Sequence, residues 1–174
     1  MKIIILNGKG ACGKDTFIDL LRKYCKVFHY SSIDTIKSIA MEHFGWDGAK
    51  DQKGRRLLSD LKIASINYND KPHKELKQAI TYVRDIIQSD LMVVVIRDIP
   101  EIEKVLSDPD LKNYDIRTVL MKRDFSVNKL GNVADDNVDK FNYDYYIMNT
   151  STIDALEEKA LSLLHALGIK RRDK

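Results

Sequence analysis

Lys14, Asp15 and Thr16 close the stretch Gly8-Lys9-Gly10-Ala11-Cys12-Gly13-Lys14-Asp15-Thr16, which holds three glycines. Glycines so placed let a backbone approach a polyphosphate closely and turn successive N–H groups toward it. A lysine directly after the last of them reaches the β- and γ-phosphates of a bound nucleotide. The stretch fits G-x-x-x-x-G-K-[ST] except at Asp15, which holds the hydroxyl position that normally touches Mg2+, with Thr16 one residue later. Gly8, Gly10, Ala11, Cys12, Gly13, Lys14, Asp15 and Thr16 are expected to hold a nucleoside triphosphate, with Asp15 and Thr16 as candidate metal ligands. Cys12 reads as a small loop residue in preference to a reactive thiol, although a helix N-terminus can lower a thiol pKa.

Other charged residues fall where strands are expected to end. Leu91 to Ile96 is an unbroken apolar run followed by Arg97-Asp98, and Ile116 to Met121 ends in Lys122-Arg123. At the carboxyl end of a parallel sheet, Arg97 is placed to clamp a phosphate and Asp98 to hold Mg2+ through water. Arg123, entering from a lid at residues 124–140, is the expected cation on the transferring phosphoryl group, ahead of Lys129. Asp34 and Lys37 follow the second strand, and Lys50, Lys53, Arg55 and Arg56 gather farther on, where arginine forks suit an accepting phosphate. A solvated surface remains the bland alternative for Asp34, Lys37 and the basic cluster.

The elements that must position these groups follow from periodicity. Ile3-Ile4-Ile5-Leu6 is continuous and aliphatic, as in a strand buried on both faces. Phe17, Ile18, Leu20, Leu21, Tyr24 and Cys25 then switch to helical spacing. Val27 to Tyr30 and Tyr145 to Met148 read as further strands, and the tyrosines at 143, 145 and 146 as sheet residues. Helical faces are traced by Ile36, Ala40 and Phe44, by Leu57, Leu61, Ala64 and Tyr68, by Leu76, Ile80, Val83 and Ile87, and by Leu156, Ala160, Leu163 and Leu164. Ser32 and the Ser151/Asp154 pair are expected caps, and Gly168 a terminator. Arg84 faces either solvent or the cleft. The predicted order is β-α-β-α-α-α-β-α-β-lid-β-α, a three-layer α/β fold with a parallel sheet flanked by helices.

The chain has 174 residues, 44% of them hydrophobic, enough for one domain with a sizeable core. Its net charge of +3 suits anionic small molecules, and the basic Lys170-Arg171-Arg172 does not call for nucleic acid. No apolar run is long enough to cross a bilayer and the first is too short for a secretory signal, so a cytoplasmic protein without a membrane partner is expected. Two cysteines make no disulfide framework, and four scattered histidines lack zinc-ligand spacing.

The chain resembles the P-loop nucleoside monophosphate kinases, and within them the phage-type deoxynucleoside monophosphate kinase and dephospho-CoA kinase branch. Gly13-Lys14-Asp15-Thr16 is similar to the Gly-Lys-Asp-Thr loop of the deoxynucleotide kinases, and Asp34 with Lys37 to their Asp-x-x-Lys segment. Asp144 to Leu156 is similar to the strand, Asn-rich turn and last helix of both branches. Their Asp-x-Arg is reduced here to the arginine of Val95-Ile96-Arg97, with Asp98 one position beyond. The resemblance implies a single adenylate kinase-like domain over 1–174, with an acceptor-binding helical insertion at about 33–88 and a short lid. It also implies ATP and Mg2+ as cofactors and a small phosphorylated acceptor held by Asp34, Lys37, Arg55, Arg56 and Arg97. Lys14, Arg97 and Arg123 are the expected catalytic residues, in a monomer or homodimer. Dephospho-CoA as acceptor and a nucleotide-binding regulator without transfer are the alternatives. A GTPase is disfavoured, because Asn128-Lys129-Leu130-Gly131 lacks the aspartate of the guanine-reading tetrad.

Overall fold

Ile3, Ile4, Ile5 and Leu6 have no polar neighbour to turn toward water, and the chain buries all four by placing them in the middle of the sheet. The computed structural model describes residues 1–49, 51–123, 137–150 and 152–172. Its strands are β1 (Lys2–Asn7), β2 (Val27–Ser31), β3 (Leu91–Val95), β4 (Asp115–Lys122) and β5 (Tyr145–Met148). Its helices are α1 (Lys14–Arg22), α2 (Asp34–Phe44), α3 (Gln52–Asn69), α4 (Lys71–Tyr82), α5 (Ile99–Ser107) and α6 (Ile153–Ala166). All strand pairs are parallel, in the order β2-β3-β1-β4-β5, with Ile4 level with Val93 and Arg117.

The two-residue alternation of a strand divides the core. Ile4 and Leu6 pack with Phe17, Leu21, Leu156, Ala160 and Leu164 of α1 and α6. Ile3 and Ile5 pack with Leu76, Ile80, Ile102 and Val105 of α4 and α5 on the opposite face. The result is the expected three-layer α/β fold. From β1 the chain passes into α1 on one side of the sheet, whereas from β3 it passes into α5 on the other. Neighbouring strands with diverging connections open a crevice beyond their carboxyl ends, here above β1 and β3.

Among the described residues the order of strands and helices matches the sequence expectation, and the differences are local. Ser32 does not cap α2: it is buried, its N–H bonds the Val95 carbonyl at 3.4 Å, and the helix starts after Ile33. Ser151 lies outside the described residues, and α6 is capped by Thr152, whose hydroxyl accepts from the Ala155 N–H at 3.3 Å. Gly168 ends that helix with a positive φ, as expected. In α3 the apolar period is only half used, since Leu57 and Leu61 are partly buried but Ala64 and Tyr68 face solvent. Arg84 takes the solvent setting, bonded to Asp85 at 2.6 Å and to the Tyr114 hydroxyl at 2.7 Å. The lid expectation falls mostly on residues 124–136, Lys129 included, which are outside the described set. Beyond them a short 3-10 turn, Val138–Lys140, anchors to the core through buried Val138. Tyr145 and Tyr146 are sheet residues, whereas Tyr143 precedes β5 and turns inward.

One part-buried hydrogen bond ties α4 to the end of α5. His73 at the start of α4 meets Asp108, at the end of α5, through Nε2 and Oδ2 at 2.6 Å, and Lys77 approaches the same carboxylate at 3.2 Å. The His73 hydrogen bond, then the Asp110 N–H and Lys77, hold the Asp108 carboxyl down at about 2. An unfolded aspartate titrates near pH 4, so this stabilisation is present above about pH 4 and is lost as pH falls toward about 2. Asp108→Asn is therefore expected to narrow its stability gap from the wild type across that window, read from urea midpoints at successive pH values. A gap that stays constant from pH 6 to pH 2.5 would refute the coupling.

Candidate functional site

β1 ends at Asn7, and the chain curls from Gly8 to Gly13 before α1 begins at Lys14. Gly13 at the helix N-cap has φ +100°, a left-handed conformation that side chains resist. A Cβ built on it would lie 2.5 Å from Asn149 Nδ2, and one on Gly8 would lie 2.4 Å from the Met121 carbonyl oxygen. The loop is thus pressed against the ends of β4 and β5, leaving no room for a side chain at either position. Among the described residues no side chain caps α1, so its first N–H groups are available to an anion.

Lys14 is only 9% exposed. Its ammonium donates to the carbonyls of Gly8 at 2.7 Å and Lys9 at 2.9 Å, and sits 3.5 Å from Cys12 Sγ. A buried ammonium needs such acceptors. They hold the charge inside the curl of the loop, where an anion bound by the N–H groups would meet it. Cys12 is buried with its sulfur turned toward Gly8, in keeping with the loop-residue reading. The loop's shape and charge fit a polyphosphate.

Two asparagines that sequence reasoning passed over hold this loop. Asn7, completely buried, accepts from the Gly8 N–H at 2.6 Å and donates to the Arg97 carbonyl at 3.1 Å and the Tyr143 hydroxyl at 2.8 Å. Asn149 donates to the Cys12 carbonyl at 3.0 Å while its own N–H bonds the Lys122 carbonyl at 2.7 Å. The available signal was position: each is a carboxamide directly after an apolar strand run, where water is excluded.

The remaining candidates divide. Arg97 and Asp98 lie at the β3 end beside the loop, Arg97 joined to it through Asn7. Asp15 and Thr16 are exposed on the first turn of α1. Lys37 and Asp34 bond each other at 2.8 Å on α2. Arg55 is half-buried near the start of α3, whereas Arg56 is turned to solvent, its side chain 84% exposed and 3.7 Å from Asp60. Arg123 is exposed at the last described position before 124–136.

Asp98 Oδ2 meets a residue not singled out from sequence, Lys62 of α3, at 2.6 Å, and Glu101 Oε2 meets the same ammonium at 2.6 Å. Burial pushes the Lys62 pKa down, but Glu101 and Asp98 together outweigh it and hold the ammonium above its usual value. Among the described residues no three His, Cys, Asp or Glu side chains gather as a metal site. A nucleotide-bound Mg2+ needs only one or two protein oxygens beside its phosphates and waters. Thr16, Asp15 and the second oxygen of Asp98 fit that smaller demand.

No family model matches the chain, and no curated protein matches its sequence. Among solved structures, the tunicamycin resistance protein of Deinococcus radiodurans matches over 100% of both chains with a TM-score of 0.57 and 12% identity. A sugar kinase from Janibacter sp. matches over 95% of each chain with a TM-score of 0.52 and 10% identity. At such identities the likeness is one of fold: the chain shares the α/β fold of these two proteins.

The tight seat of Gly13 gives a direct test. Gly13→Ala forces a strained φ and a clash with Asn149, worth about 1–3 kcal/mol, and is expected to weaken binding of a fluorescent ATP analogue about tenfold or more. Unchanged affinity would show that the loop does not contact the nucleotide.

Proposed function

We propose that this chain is an ATP-dependent kinase of a small phosphorylated acceptor, with a (deoxy)nucleoside monophosphate as the favoured substrate. The observation that carries the reading is the buried Lys14 ammonium, enclosed by loop carbonyls at the N-terminus of α1 and beside the β1/β3 crevice. The fold shared with a sugar kinase supports the reaction class, and the acceptor is argued from residue chemistry and from the Asp34/Lys37 and Gly-Lys-Asp-Thr resemblances.

In this reading the loop N–H groups and Lys14 hold the β- and γ-phosphates. Thr16, Asp15 and Asp98 would hold Mg2+, which supplies charge neutralisation between the phosphates when bound. Arg97 orients the accepting phosphate, with Lys37 and Arg55 on the acceptor side. Arg56 contributes less, because it is turned to solvent. Arg123 stabilises the charge that spreads over the transferring phosphoryl group. The γ-phosphorus forms a bond to an acceptor phosphate oxygen as its bond to the ADP oxygen breaks. No covalent intermediate on the protein is needed, since positioning and electrostatics carry phosphoryl transfer.

The test is ADP release from Mg·ATP with each ribo- and deoxyribonucleoside monophosphate and with dephospho-CoA. One acceptor should stimulate release, and Lys14→Ala should reduce the rate by at least about a hundredfold without changing the far-UV circular dichroism spectrum. Equal rates in the two proteins would sink the assignment. ATP binding with no acceptor-stimulated release would favour a nucleotide-binding regulator.

A further inference from the structure

An amphipathic helix is ordinarily fastened by its apolar stripe, but α3 has little of one. Gly54 is its only fully buried residue, and Ile63, Ile66 and Tyr68 are exposed. Two attachments stand out. At its start, Asp51 caps the helix through the Gly54 N–H at 2.7 Å, and Gly54 is pressed against the turn closed by Trp46 Nε1 and the Ala49 carbonyl. Near its middle, the Lys62 side chain is 12% exposed and its ammonium bonds Asp98 and Glu101 across the α5 N-terminus.

That second attachment lies next to Arg97, the proposed phosphate clamp, and it also fixes the rotation of α3. Seven residues separate Arg55 from Lys62, which puts them within about 20° on one helix face and about 10 Å apart along the axis. Arg56, one position on, is rotated by about 100° and its exposure agrees with that rotation. Holding Lys62 at the α5 N-terminus therefore turns Arg55 toward the sheet.

We propose that Lys62 is a positioning residue for the acceptor: its bridge to Asp98 and Glu101 docks α3 so that Arg55 faces the phosphate that Arg97 clamps. The inference rests on the kinase reading above. Lys62 itself touches neither phosphate; it sets where α3 lies relative to the β3 end. An ammonium binding two carboxylates suits this task because removing it leaves both carboxylates without their partner, so the helix has no equally good undocked contact.

The test compares wild type with Lys62→Met, which keeps the stem and loses the charge, and Lys62→Arg, whose fork can still span two carboxylates. In Lys62→Met the acceptor KM is expected to rise about tenfold or more, with a much smaller change in the KM for ATP, whose Mg2+ would meet Asp98, and with faster amide exchange across residues 52–69 but not in β1 or α1. Lys62→Arg is expected to recover most of the acceptor KM. If both KM values move together alongside a lower melting temperature, Lys62 is merely structural and the proposal is overturned. Unchanged KM values with unchanged exchange would also overturn it. If wild-type protein shows no acceptor-stimulated ADP release, the kinase reading fails and the acceptor role falls with it, while the exchange comparison still decides whether Lys62 docks α3.

Discussion

A carboxamide shut away from water has to find its hydrogen-bond partners within the protein. Asn7 finds them in three different parts of the chain: the Gly8 N–H, the Arg97 carbonyl after β3 and the Tyr143 hydroxyl before β5. Because all three bonds must form together, the start of the glycine loop cannot shift without moving the neighbouring strand end. Asn149 repeats the arrangement on the other side, joining the loop at Cys12 to the end of β4 at Lys122. The loop owes its shape to these two amides as much as to its glycines. The glycines permit the curve, and the amides hold it in one place against the ends of β3, β4 and β5.

Two kinds of attachment divide the molecule. The sheet and its flanking α1, α4, α5 and α6 are joined by apolar packing on both faces of β1, which is non-directional and tolerant of small shifts. Polar contacts with fixed geometry weigh more in α3, where Lys62 meets Asp98 and Glu101, and His73 with Asp108 adds one between α4 and α5. Polar joints of this kind contribute less net stability than an equal apolar area, but they specify orientation. In the kinase proposed above, that division would keep the glycine loop fixed and leave α3 to be aimed.

How much of this was readable in the sequence follows the same line. The strands, the glycine-rich turn between β1 and α1 and the helix order were legible because each is encoded over a few adjacent residues, as in the aliphatic run at Ile3 or the glycine spacing before Lys14. The polar joints were not. Lys62 meets Asp98 across 36 residues, and nothing around Lys62, between Leu61 and Ile63, tells which carboxylate it will find. Arg55 and Arg56 looked equivalent as a pair, and only the rotation of α3 separates them. Caps failed for a related reason. Ser32 has the right chemistry for a cap, but the sheet buries it and its backbone bonds Val95 instead.

The parallel sheet also imposes an order of assembly. β1 precedes both of its neighbours in the chain, since β3 and β4 come from residues 91–95 and 115–122. The Asn149 bond to Cys12 spans 137 residues. Contacts so distant in sequence close large loops and form late. During synthesis, the Gly8–Gly13 loop would emerge before the strands that wall it and stay without them until β5 is added. A nucleotide bound there as proposed would act on the chain only near the end of its folding, stabilising the finished sheet by mass action without guiding how the strands come together.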